Sequence, residues 1–124
     1  MPWTSDADTT LGDIKEAIAG FTSRRDWQPF HTPKNLAMAV ASEAAELMAH
    51  FRWTDDAAAA AILGDADSAR AIRHEAADVL VLLAELANVA GIDLARAVAE
   101  KMALNEDRYP VEKARGTAAK YDRL

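Results

Sequence analysis

The chain has 124 residues, 14 basic and 20 acidic, with a formal net charge of -6. Of its 63 apolar residues 29 are alanine, which leaves 34 large ones, and there is no cysteine. That excludes a disulfide framework, a zinc-thiolate site and a cysteine nucleophile. The longest apolar run, Ala57 to Leu63, is seven residues, too short for a membrane span. MPWTSDADTT has neither a basic nor an apolar secretory region, so the expectation is a cytoplasmic protein with no membrane partner. An acidic chain is also a poor general nucleic-acid binder. The charge is uneven: residues 1–100 carry 8 basic and 16 acidic groups, residues 101–124 carry 6 and 4. A basic tail on an acidic body suits an anionic ligand or a solvated terminus.

The elements read as helices throughout. β-branched residues are sparse, and no convincing strand is expected. The first helix is expected from Thr10, with Asp13 as a capping-box partner, to about Arg24. Its apolar stripe is Leu11, Ile14, Ile18 and Phe21. Asp26 to His31 is a loop, because Pro29 lacks an N–H and restricts Gln28. Thr32-Pro33 starts a second helix that should run to about Arg52. Thr54 caps a short piece ending near Gly64. A third long helix runs from Asp67 or Ser68 to Ala90, where Gly91 ends it. Asp93 caps a fourth, to about Asp107. Residues 1–9 and 111–124 read as tails of a single domain spanning 1–124. The short connections suggest a bundle of antiparallel neighbours, and the alanine-rich composition a core shared with a partner subunit.

Three acidic pairs stand at i, i+3 spacing, as many as composition alone would produce. Two of them, Glu43 with Glu46 and Glu75 with Asp78, occupy informative faces. Leu36, Val40, Glu43 and Leu47 share one stripe, and Glu75 lines up with Val79, Leu82 and Leu86. Carboxylates among core positions are costly unless a cation neutralises them. A hard divalent ion, Mg²⁺ or Mn²⁺, is the natural partner, and it keeps positions open for water and phosphate. The competing expectation is an interhelical ion pair with Arg70, Arg73 or a distant arginine. A metal cluster of this kind suits phosphoanhydride chemistry.

Trp27, Phe30 and His31 cluster directly before the second helix, and Trp53 lies just beyond it. Flat rings can stack on a nucleobase while His31 or Gln28 bonds its edge. The same rings could instead staple helix ends to the core. The glycines at 12, 20, 64, 91 and 116 form neither a P-loop nor a dinucleotide fingerprint. His50 and His74 are out of phase for a di-iron Glu-x-x-His motif.

With these residues in place, the chain resembles the MazG-like all-α nucleoside triphosphate pyrophosphohydrolases, and within them the dCTP pyrophosphatase branch. The resemblance rests on Glu43-x-x-Glu46 followed by Glu75-x-x-Asp78, on RDWQPFHTPKNLAMAVASEAAELMAHFRW (25–53) and on KMALNEDRYPVEKARGTAAKY (101–121). It implies a four-helix bundle assembled through intertwined subunits, as a homodimer or homotetramer. It implies hydrolysis of a nucleoside triphosphate to monophosphate and pyrophosphate, with dCTP or a related or modified deoxynucleotide favoured. It implies Mg²⁺ on Glu43, Glu46, Glu75 and Asp78; one of these four carboxylates, with Glu46 the candidate, is expected to orient the attacking water. It implies a base pocket of Trp27, Gln28, Phe30, His31 and Trp53, with Lys101 and Asn105 toward the phosphates. Two positions depart from the dCTP-specific animal enzymes: Leu82 stands where they carry Tyr, and Ile18 where they carry His. The rival readings are a non-catalytic helical module that binds nucleotide or protein, and a phosphoribosyl-ATP or dUTP pyrophosphohydrolase.

Overall fold

The computed structural model describes all 124 residues, Met1–Leu124. They form six α-helices and no strand: α1 Leu11–Ser23, α2 Pro33–Ala49, α3 Asp56–Ile62, α4 Ala66–Ala90, α5 Leu94–Arg108 and α6 Val111–Ala114. Single 3₁₀ turns lie at Gln28–Phe30 and Tyr121–Arg123. The chain divides into two compact units, Met1–Gly91 and Ile92–Leu124.

Local chemistry sets the helix starts. Thr10 and Asp13 form the expected reciprocal box, with Asp13 N–H on Thr10 Oγ1 at 3.1 Å and Thr10 N–H on Asp13 Oδ2 at 2.9 Å. Thr32 caps α2 by accepting from Asn35 N–H at 3.2 Å, with Pro33 in the first turn. Asp93 caps α5 through Arg96 N–H at 3.0 Å. Gly91 ends α4 with φ +67°, a conformation that favours glycine.

Elsewhere the boundaries shift. α2 stops at Ala49 rather than Arg52, because the chain tightens at His50 and Phe51 and turns left-handed at Trp53, φ +68°. Asp55, not Thr54, caps α3, since the Thr54 hydroxyl donates back to the Phe51 carbonyl. α4 begins at Ala66, one or two residues early, because Asp65 accepts from both Ser68 N–H and Ser68 Oγ. Those bonds hold the Asp65 carboxyl below its usual range, the backbone bond foremost. The ends expected to be tails carry structure: Asp8 gathers Thr4 and Ser5 into a turn, and residues 111–124 contain α6 and the last 3₁₀ turn.

In the first unit α4 packs against α2 and, over a smaller area, α1. Leu36 of α2 is 2% exposed, and Ala84 and Ala87 of α4 complete the buried apolar set. Asn88 of α4 donates its side-chain amide to the Lys15 carbonyl of α1 at 2.9 Å. Leu80, Val81, Leu83 and Val89 of α4 stay exposed. In the second unit, Leu94, Ala97, Val98, Lys101 and Met102 line an open apolar groove along one face of α5. Tyr121 meets Tyr109 edge to face at 6.1 Å, with Arg108 over its ring at 4.6 Å.

Candidate metal centre and aromatic loop

α2 and α4 pack with their acidic residues facing one another. Glu43, Glu75 and Asp78 each offer a carboxylate oxygen, and the three oxygens all lie within 4.8 Å of one another. Glu43 and Glu75 are half-buried, and Asp78 is exposed. The Oε2 atoms of Glu43 and Glu75 are buried without a hydrogen-bond partner. Neither Arg70 nor Arg73 forms a salt bridge with the group, so the ion-pair alternative is not realised.

Charge accumulates here without an answer from the protein. Partial burial, then the negative charge of Glu46, raises the Glu43 carboxyl to about 6. The nearness of the Glu75 carboxyl and the charge of Asp78 add to the shift. Glu46 lies one turn along α2 from Glu43, outside the tight group of three. Two orphaned buried oxygens and a third converging carboxylate fit a hard divalent cation, whose ligands are anionic oxygens.

The aromatic loop starts where α1 ends. Asp26 takes φ +52°, and Trp27 N–H turns back to the Thr22 carbonyl at 3.2 Å. The Trp27 ring meets Phe21 edge to face at 5.7 Å and His31 at 6.0 Å. Arg25 lies over Phe21 at 3.5 Å. Asn35 of α2 donates to the Phe30 carbonyl at 3.0 Å, tying the loop to the helix that carries Glu43. Gln28 is exposed, Phe30 is 67% exposed and Trp53 93% exposed. Phe30 and Trp53 are not core staples, whereas Trp27, 41% exposed, keeps ring contacts with Phe21 and His31. Lys101 and Asn105 stand one turn apart on α5, in the second unit.

Two polar residues that sequence reasoning missed are among the most buried in the chain. Thr22 is 3% exposed and Glu85 5%. Thr22 Oγ1 donates to Glu85 Oε2 at 3.3 Å, and Glu85 Oε1 lies 3.8 Å from His31 Nδ1. The signal for Glu85 was present: it follows Asp78 by seven residues, two helical turns, and so shares its face.

The frame is all-helical, and the unpaired carboxylate centre between two packed helices has the donor set that a divalent cation takes. The comparisons narrow the reading. The profile of the MazG-like family matches residues 38–124. The chain is 40% identical over 123 residues to dCTP pyrophosphatase 1 of Rattus norvegicus, covering 99% of this chain and 72% of that protein. It is 38% identical over 117 residues to dCTP pyrophosphatase 1 of Homo sapiens, covering 94% and 69%. A crystal structure of a pyrophosphatase from Archaeoglobus fulgidus superposes with a TM-score of 0.76 at 33% identity, over 87% of this chain and 99% of that one. The chain belongs to the MazG-like family.

Proposed function

We propose that the chain is a nucleoside triphosphate pyrophosphohydrolase that converts a (deoxy)nucleoside triphosphate and water to the monophosphate and pyrophosphate. The observation that carries this reading is the carboxylate centre with two orphaned buried oxygens, in a chain 40% identical to a dCTP pyrophosphatase. dCTP, or a related or modified deoxynucleotide, is the favoured substrate. Ile18 keeps the base preference open: it lines an apolar pocket with Ala17, Phe21 and Val81, where the dCTP-specific animal enzymes are expected to carry His.

In this reading Glu43, Glu46, Glu75 and Asp78 hold Mg²⁺, with Mn²⁺ as a substitute. The ion, when bound, neutralises phosphoryl oxygens and acidifies a coordinated water. Glu46, outside the tight group of three, is assigned in addition to orient water and accept its proton. That water adds to phosphorus as the bridge between the α and β phosphates breaks, and the bridging oxygen leaves with the departing group. Trp27, Phe30 and Trp53 offer ring faces to the base, and Gln28 and His31 offer polar atoms to its edge. Lys101 and Asn105 are assigned to the phosphates, as a cation and an amide on one face of α5.

The reading extends to a homodimer or homotetramer, located in the cytoplasm with its nucleotides. Exposed Leu80, Val81, Leu83 and Val89 on α4, and Val98 and Met102 on α5, support self-association. No helix is long and apolar enough to cross a membrane.

The test is pyrophosphate release from a panel of ribo-, deoxy- and modified nucleoside triphosphates with Mg²⁺, beside a Glu75→Ala variant. Release that depends on Glu75 supports the reading, and the ranking of bases assigns the substrate. No release from any nucleotide would leave a helical binding module in its place.

A further inference from the structure

On α4, two turns beyond Asp78, Glu85 is buried outside the metal centre. Its Oε2 accepts the Thr22 hydroxyl at 3.3 Å, and its Oε1 faces His31 Nδ1 at 3.8 Å. That nitrogen is buried and has no hydrogen-bond partner. Leaving such a group unpaired is unfavourable, because it gives up its bonds to water and gains none in return. Thr22 also belongs to the loop, because its carbonyl takes the Trp27 N–H.

We propose that Glu85 is a positioning residue for nucleotide binding. Its carboxylate accepts a hydrogen bond from His31 Nδ1–H, fixes the tautomer of the imidazole and, with Thr22, anchors the Trp27–His31 loop to α4. A neutral imidazole that donates from Nδ1 keeps Nε2 as an acceptor. Closing 3.8 Å to bonding distance takes less than about 1 Å, the kind of tightening that ligand-free sites undergo on binding. Seven residues of helix separate Asp78 from Glu85 by about 10.5 Å along the axis. α4 thus serves as a rigid spacer, with metal carboxylates at one level and the anchor of the base loop at another. This inference rests on His31 facing the nucleotide, as read above.

The test combines a spectroscopic and a kinetic readout on the full chain. The protein has three histidines, so the ¹⁵N imidazole signals of His31 are assigned by their loss in His31→Asn. Wild type is expected to show the Nδ1-protonated tautomer, and Glu85→Ala to lose it. Glu85→Met, similar in volume but without an oxygen acceptor, takes over should the alanine variant not fold. In kinetics, Glu85→Ala and His31→Ala each raise KM about tenfold with kcat within about twofold, and the double variant is no worse than His31→Ala alone. Glu85→Gln, whose amide oxygen still accepts, recovers most of the KM. An unchanged His31 tautomer in Glu85→Ala overturns the inference. So does a KM increase of equal size when Glu85 is removed from the His31→Ala background. A raised KM in His31→Ala beside a wild-type KM in Glu85→Ala removes this inference alone. A wild-type KM in His31→Ala removes it together with the assignment of the loop to the nucleotide.

Discussion

Glu75 and Glu85 stand on the same helix and meet opposite surroundings. Glu75 joins Glu43 and Asp78, and two buried oxygens of that group have no partner. Glu85 accepts a hydroxyl from α1 and faces an imidazole from the loop. Burial penalises both carboxylates. Around Glu85 the protein supplies the compensation itself, and around Glu75 it places more negative charge. The first arrangement lacks only the closing of His31 Nδ1, unpartnered at 3.8 Å, whereas the second is unfinished without a cation from outside. The position of a carboxylate on a core-facing stripe is thus common to a scaffold and a metal centre, and what lies opposite separates them.

The largest expected effect comes from breaking the unfinished side. Glu75→Ala should reduce pyrophosphate release by more than about 100-fold while the far-ultraviolet circular dichroism stays helical, since a divalent-ion site that loses a ligand loses its transition-state charge stabilisation. Turnover within a few-fold of wild type would remove Glu75 from the site.

Stability sharpens the contrast. Mg²⁺ at about 100 times its Kd should stabilise the wild-type chain by about 2.7 kcal/mol, read as a concentration-dependent rise in Tm. The rise should vanish in Glu75→Ala and persist in Thr22→Val. A Tm indifferent to Mg²⁺ in the wild type would count against the metal centre. Thr22→Val is the smaller change, on the Glu85 side. It removes one bond to a buried carboxylate and should cost about 1–2 kcal/mol with or without Mg²⁺, measured by urea denaturation.

The smallest effect is the pH dependence of the metal-free chain. The folded Glu43 carboxyl titrates near 6, above its ordinary value of 4.5. Between these values the folded state holds a proton that the unfolded state has released, so this group lowers stability as pH rises from about 4.5 to about 6. Metal-free Tm should carry that downward component, and Glu43→Gln should remove it. Saturating Mg²⁺ should oppose it, because binding needs the ionised carboxylates.

Much of this was legible along the chain. Thr10, Thr32, Asp93 and Gly91 mark helix ends by chemistry confined to three or four residues, and each does so in the structure. The pairing of Glu43 with Glu75 and Asp78 followed from helical periodicity, because residues that share a stripe with Leu36 or Leu82 must face the neighbouring helix. Where two local signals competed the sequence was ambiguous: Thr54 and Asp55 both suit a cap, and the structure chose the carboxylate. The end of α2 depended on a left-handed turn at Trp53, which no propensity of tryptophan announces.

The sequence by itself determined the four longest helices, the caps at Thr10, Thr32, Gly91 and Asp93 and the two acidic pairs, because each rests on spacing within a few turns of one helix. Only the tertiary structure decided which carboxylates remain unpaired. Glu85 lies 63 residues from Thr22 along the chain and meets it only because α1 and α4 pack together. Glu46 lies three residues from Glu43, yet stands outside the tight group. Partners across a helix interface are fixed by packing, and packing is a property of the folded pair of helices rather than of either sequence segment.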